Sequence, residues 1–344
     1  MKSKFLRISF VGVIVLSLVL SGCGQKSVTT TPANPETKTA EQVKKFVPAS
    51  PITMVTPAGP GGSTDMLARA VEKVWNKYCP QPLQILNKGG AAGLEGATTV
   101  ARAKPDGYTL EIGYGSGPDL TMPHVQKTDY DPFKDVVAVS RLSVHTVAVV
   151  VPESSPFKSV SDVVNWAKKE NKPVTCAVSN AASPLDIAAK GIGKIAGITV
   201  TTVPHSGGAQ AITTLIGGNT MIGTGHPAEI LSQIKAGKVR PIGVSTPERD
   251  PYLKDVPTLI EQGINLHVWG SVKGVAAPAG TPKEIISYYS DLFKKISEDA
   301  DFKKAMTDMG QPVMYQNTDD FAKFMKTAYD DYGKLIKDLG LAQK

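Results

Sequence analysis

The sequence predicts an α/β protein with mostly parallel sheets flanked by helices, and three observations carry that prediction. From Ile52 onward, apolar runs of four to six residues alternate with amphipathic stretches, the pattern of βα units. The links between them are rich in glycine, serine and proline, the punctuation of βα turns. A hydrophobic content of 41% is enough to core two domains of ordinary size, or one large one, from Pro51 onward.

Strands are expected at 52–55, 83–86, 109–114, 136–139, 146–151, 174–178, 199–203, 221–224, 241–244 and 272–276, from their β-branched and aliphatic content. Helices are expected at 65–78, 94–103, 161–170, 184–196, 209–216, 227–235, 258–261, 282–298, 300–309 and 318–339. Some starts are signed. Ser161 followed by Asp162, Thr281 before Pro282, and Asn317 before Thr318, Asp319 and Asp320 put an oxygen acceptor or a proline where a first turn leaves N–H groups unpaired.

Ahead of the first strand the chain changes character. Lys2, Lys4 and Arg7 precede an apolar stretch at 8–20, about as long as a signal-peptide core and shorter than the roughly 20 residues a spanning helix needs. Leu20-Ser21-Gly22-Cys23 follows and resembles a bacterial lipobox. The resemblance implies that residues 1–22 are a signal peptide, that Cys23 carries lipid, and that Cys23 becomes the N-terminus. Residues 23–50 are rich in Thr, Ser, Pro, Lys and Glu, with Val28, Val43, Phe46 and Val47 as their few bulky apolar side chains. That composition reads as a flexible tether. The expected location is extracytoplasmic, anchored to the membrane at the cell surface or in the periplasm.

Several function classes are disfavoured. Without Lys2, Lys4 and Arg7 the formal charge of +7 falls to +4, and no basic run is interleaved with aromatics, so a nucleic-acid partner is not expected. No His-x-x-x-His or Cys-x-x-Cys spacing offers a metal site, and no glycine fingerprint or lysine-bearing phosphate loop offers a nucleotide cofactor. Gly115-Ser116-Gly117 lacks the spacing of a nucleophile elbow, so an enzyme is not expected. Nothing in their spacing says that Cys79 and Cys176 meet; they read as two small, semi-buried side chains.

The loops are the informative part. Gly59-Pro60-Gly61-Gly62-Ser63-Thr64-Asp65 joins a strand to a helix, leaving backbone N–H groups at the positive end of a helix dipole, a seat for a carboxylate or phosphate. Loops of like composition recur at 87–93, 113–117, 179–184 and 204–208, and in parallel sheets such loops gather outside the carboxyl ends of the strands. Candidate ligand contacts are therefore Gly61, Gly62, Ser63, Thr64, Asp65, Gly90, Ala91, Ser116, Ser179, Asn180, Ala181, Ser183, Ser206 and Gly207. His205 and His226, each at a helix entrance, are candidate donors to an anion.

The order of Thr-Pro-Ala-Gly-Pro-Gly-Gly-Ser-Thr-Asp-Met-Leu-Ala-Arg (56–69), Asn-Lys-Gly-Gly-Ala-Ala-Gly (87–93), Ala-Arg-Ala-Lys-Pro-Asp-Gly-Tyr-Thr-Leu (101–110), Val-Pro-His-Ser-Gly-Gly-Ala (203–209) and Ala-Pro-Ala-Gly-Thr-Pro (277–282) resembles the substrate-binding proteins of tripartite tricarboxylate transporters, the Bug or TctC type. Tyr-Asp-Pro-Phe-Lys-Asp (130–135) and Asp-Val-Pro-Thr-Leu-Ile-Glu-Gln-Gly (255–263) extend the likeness. It implies a two-lobed periplasmic-binding-protein fold of type II, a Venus flytrap. Lobe 1 would comprise 51–151 plus 270–344, and lobe 2 would comprise 152–269, with crossings near Val151-Pro152 and Trp269-Gly270. It also implies a monomeric solute-binding protein that holds a small carboxylate between its lobes and delivers it to a two-subunit membrane permease. A sensor that presents the carboxylate to a membrane kinase is the alternative.

In that family the first glycine loop holds one ligand carboxylate, which maps here onto Gly61, Gly62, Ser63, Thr64 and Asp65. Asp65 itself reads as the acid that fixes the loop or holds a water, since a bare carboxylate would repel the ligand. Departures from the family pattern fall where ligand identity would be read. Ala58 stands where an aromatic is common, Asp186 and Lys190 where a His and a Glu are common, and His205-Ser206 where a tyrosine-lysine pair is common. Asp186 and Lys190, four apart, also fit a helix-surface ion pair.

Overall fold

The computed structural model describes residues 46–343. The expected signal peptide, Cys23 and most of the expected tether lie outside the described residues. The first apolar run forms β1 (Ile52–Thr56) and leads through the glycine loop into α1 (Ser63–Trp75). There follow β2 (Leu83–Asn87), α2 (Leu94–Ala101), β3 (Thr109–Tyr114), a π-helical turn at Gly117–Thr121 running into α3 (Met122–Val125), and β4 (Val136–His145). The chain then builds β5 (Ala148–Pro152), α4 (Val160–Glu170), β6 (Val174–Val178), α5 (Pro184–Ala196), β7 (Val200–Pro204), α6 (Gly208–Ile216), β8 (Ile222–Gly225), α7 (Pro227–Lys235) and β9 (Val239–Val244). It returns with β10 (Ser271–Pro278), α8 (Lys283–Glu298), α9 (Ala300–Asp308) and α10 (Thr318–Asp338).

These strands form two five-stranded sheets, in the orders β2-β1-β3-β10-β4 and β7-β6-β8-β5-β9. In each sheet one strand is reversed: β10 is antiparallel to β3 and β4, and β5 is antiparallel to β8 and β9. Each reversed strand is the first one built after the chain crosses from the other sheet. Such a strand starts at the face between the lobes and runs away from it, whereas β1, β3, β6 and β8 run toward that face and end in the loops that line it.

The crossings lie between His145 and Ala148 and between Val244 and Ser271. The outward crossing thus comes earlier than the expected Val151-Pro152, and β5, assigned to the first lobe from sequence, pairs in the second sheet. The reason is that β4 continues to His145: Ser140 and Ser143 are buried in it, which breaks the apolar pattern without breaking the strand. The expected helix at 258–261 is a turn, held by the Thr258 amide donating to Glu261 Oε2 at 2.7 Å and the Glu261 amide donating to Thr258 Oγ1 at 3.0 Å. Helix α4 is capped by Ser159, not Ser161; the Asp162 amide donates to Ser159 Oγ at 3.0 Å. Thr281 does not cap α8, because its hydroxyl donates to the Pro278 carbonyl at 2.7 Å.

Each sheet is sandwiched by the apolar faces of its helices. Leu67, Val71, Val74 and Trp75 of α1 and Ile285, Tyr289, Phe293 and Ile296 of α8 pack with Ile52, Met54, Leu110 and Ile112. In the second sheet Val149, Val151, Cys176, Val178 and Ile222 meet α4 and α5 on one face, while Ala148, Val150 and Val244 meet Ile212 and Leu215 of α6 on the other. Fully burying a side chain of this size contributes about 1.5–3 kcal/mol, which fixes the strand ends that carry the loops. Cys79 and Cys176 are buried and unpaired. No helix among the described residues is long and apolar enough to cross a membrane.

Candidate ligand-binding site

Four loops at the carboxyl ends of β1, β3, β6 and β8 are each folded around an acid at the third position of the following helical turn. Asp65 Oδ2 accepts from the Gly61 amide at 2.9 Å, and Asp119 Oδ2 accepts from the Gly115 and Ser116 amides at 2.8 and 3.2 Å. Asp186 Oδ2 accepts from the Ala182 amide at 2.8 Å, and Glu229 Oε2 from the His226 amide at 3.0 Å. An acid there satisfies backbone donors of the residues just ahead of the helix and favours the positive helix end. The loops are thereby held rigid, and the helix starts that follow them point at one place.

That place is a cavity of about 40 Å³ between the sheets. From the first sheet it is lined by Gly62, Ser63, Thr64, Ser116 and Lys273, and from the second by Ser179, Asn180, Ser183, Gly207 and His226, with Glu229 completing the wall. The starts of α1, α5, α6 and α7 and of the turn at Gly117 all contribute lining residues, an arrangement suited to an anion. The lobes are joined across it: the Gly59 amide donates to the Ser206 carbonyl at 3.2 Å, and the Thr121 hydroxyl donates to the Ala182 carbonyl.

Of the sequence candidates, Gly62, Ser63, Thr64, Ser116, Ser179, Asn180, Ser183, Gly207 and His226 line the cavity. Others stand behind it. Gly61 and Asp65 brace the first loop, Asp65 also accepting from Asn87 Nδ2 at 3.0 Å. Gly90 and Ala91 lie in a 3-10 turn that does not reach the cavity. Their loop packs on the first loop so tightly that a Cβ on Gly89 would sit 2.9 Å from the Gly59 nitrogen. Ala181 is exposed and away from the lining. His205 is committed locally, with Nδ1 3.2 Å from the Val178 carbonyl and Nε2 2.7 Å from Thr214 Oγ1. Ser206 turns to Gln210 Oε1 at 2.7 Å. Asp186 and Lys190 do form the i,i+4 pair, at 2.7 Å, but Asp186 is fully buried and serves its loop.

Two residues unmarked by the sequence reading dominate the electrostatics. Lys273, on the buried strand β10, is 3% exposed and donates from Nζ to Thr64 Oγ1 at 2.6 Å. Burial pulls its ammonium down to about 8, against the opposing pull of Glu229 and Asp119. Glu229 uses its second oxygen across the lobes: Oε1 accepts from the Ser63 amide at 2.9 Å. A Cβ on Gly208 would sit 2.2 Å from the Glu229 carboxyl carbon and both its oxygens, so that position admits the carboxylate only as glycine. His226 Nδ1 lies 2.8 Å from the Thr146 carbonyl and must donate to it, and burial lowers the imidazole to about 4, leaving it neutral. Burial likewise raises Asp119 to about 6. The signals were present: a single lysine in the apolar run Val272-Lys273-Gly274-Val275-Ala276-Ala277, and an acid three residues after His226.

The model of the tripartite tricarboxylate transporter family receptor, TctC, matches residues 67–341. The chain belongs to that family. A relative from Cupriavidus necator, the UPF0065 protein in the gbd 5' region, is 29% identical over 302 residues, spanning 88% of this chain and 91% of its own. Among solved structures, R. palustris Rpa4515 with adipate superposes with a TM-score of 0.79 at 27% identity, over 86% of this chain and 99% of that one. MatC from Rhodopseudomonas palustris with bound malate gives 0.77 at 26% identity, over 84% and 99%. As a TctC-family member the protein is an extracytoplasmic solute-binding receptor of the two-lobed periplasmic type, not an enzyme.

Proposed function

We propose that this TctC-family receptor captures a small carboxylate between its lobes and delivers it to a two-subunit membrane permease of the tripartite tricarboxylate transporter type, while lipid on Cys23 holds it at the membrane as a monomer. The observation that carries the ligand class is the buried ammonium of Lys273 among converging helix starts, supported by the adipate and malate in the two similar structures. Donors come from both lobes, so the full set exists only when they close, and ligand binding draws the closed state forward by its differential affinity. The hinge is proposed at the crossings after His145 and before Ser271. Calorimetry with a panel of small carboxylates tests the reading. Saturable binding that weakens at least tenfold in Thr64→Val, whose hydroxyl orients Lys273, is the expected result; no heat from any carboxylate overturns it.

A further inference from the structure

The start of α1 is where a glycine loop of this kind would seat a ligand carboxylate, and in this chain a carboxylate is already there. Glu229 Oε1 takes the Ser63 amide from the opposite lobe at 2.9 Å, while Oε2 takes its own His226 amide at 3.0 Å. The side chain is buried, and Gly208 supplies the space that a Cβ would deny it. It is therefore a fitted part of the cavity wall and not a surface group that happens to fall inward.

What remains for a ligand is set by Lys273. An ammonium has three donors, and the one hydrogen bond it makes is to Thr64; two hydrogens are left for an anion. Among the described lining residues it is the one lysine or arginine, and His226 is neutral beside it. One ligand carboxylate can thus be charge-paired. A second would have to face Glu229 at short range in a buried site, where like charges are poorly screened and repel. The cavity, about 40 Å³, also has room on the scale of only a few water molecules.

We infer that Glu229 fills from within the seat that a second ligand carboxylate would occupy, and that the site therefore selects small monocarboxylates over dicarboxylates. This rests on the carboxylate-binding reading above and adds the class of carboxylate. Malate and adipate, which the two similar structures hold, are then the wrong class for this chain, although the fold is shared.

The test is a calorimetric comparison of acetate, propionate and lactate with malonate, succinate and malate, on the wild type, Glu229→Ser and Glu229→Gln. The serine variant removes the charge and the bulk; the glutamine variant removes the charge and keeps the bulk, its one oxygen still accepting from Ser63 while the His226 amide loses its acceptor. Expected is wild-type binding of at least one monocarboxylate with every dicarboxylate at least tenfold weaker. Dicarboxylate affinity should rise at least tenfold in the serine variant and by a smaller factor in the glutamine variant, where the seat stays filled and only the repulsion is relieved; the glutamine variant decides alone should the serine variant not fold. Wild-type binding of a dicarboxylate as tight as any monocarboxylate, or no gain in the variants, overturns the inference and leaves the carboxylate reading standing. Binding of neither class overturns both.

Discussion

Glu229 Oε1 and the backbone nitrogen of Ser63 lie 2.9 Å apart, 166 residues apart in the chain and on opposite lobes. One carboxylate thus caps two helices at once, α7 in its own lobe and α1 in the other. It does so beside the ammonium of Lys273, whose burial is only partly offset by Glu229 and Asp119.

Replacing Lys273 by methionine should stabilise the protein at neutral pH and remove carboxylate binding. The folded ammonium is depressed to about 8 from its ordinary 10.5. A group depressed on folding contributes fully above its unfolded value and loses that contribution as pH falls through the folded one, so below pH 8 the buried charge costs up to about 3 kcal/mol. Thermal unfolding of Lys273→Met should show a higher Tm than wild type at pH 7 and a shrinking difference toward pH 10. A lower Tm at pH 7 with the difference unchanged by pH would contradict this.

Carboxylate affinity should fall as pH rises through about 8, approaching tenfold per unit beyond it, after a shallower decline near pH 6 where Asp119 beside Lys273 takes up its charge. The anion binds the ammonium form, and loss of that proton removes the partner. His226, lowered to about 4, is neutral throughout and adds no slope. Calorimetry across this range checks the midpoint; a flat profile to pH 9.5 would remove Lys273 from the site.

Gly208→Ala should displace the Glu229 carboxylate, because the new Cβ would stand 2.2 Å from it. Loss of the Ser63 contact and the accompanying strain should cost about 1–3 kcal/mol. Denaturant titration of the variant measures it, and wild-type stability would mean that Glu229 is not held where Gly208 lets it lie.

Cys23→Ser should release the protein from the membrane into the soluble fraction in unlipidated form. Fractionation of cells expressing the variant decides this; retention at the membrane would refute lipid attachment at Cys23.

Much of the architecture was legible because it is local. The Ile52–Thr56 strand, the glycine loop and the α1 periodicity can be read within one window, α5 begins and ends where Pro184 and Gly197 say it should, and α7 begins at Pro227. The misreadings came where burial departs from the simple pattern. Ser140 and Ser143 disguise the length of β4, and the Thr258–Glu261 side-chain bonds imitate a helix start while closing a turn. In the site, the loops were legible as loops, but the one carrying Gly90 and Ala91 packs on the first loop through Gly89, and His205 serves Val178 and Thr214.

The sequence by itself determined the βα alternation, the glycine-rich strand ends and the anion-seeking helix starts, since each follows from residues within a few positions of one another. Only the tertiary structure decided which starts converge, and that a lysine 209 residues from Thr64 and a glutamate 166 residues from Ser63 complete the wall. Periodicity says which face of an element is buried, not what it is buried against. The charge in the cavity depends on that pairing, so it entered only when the two sheets were brought together.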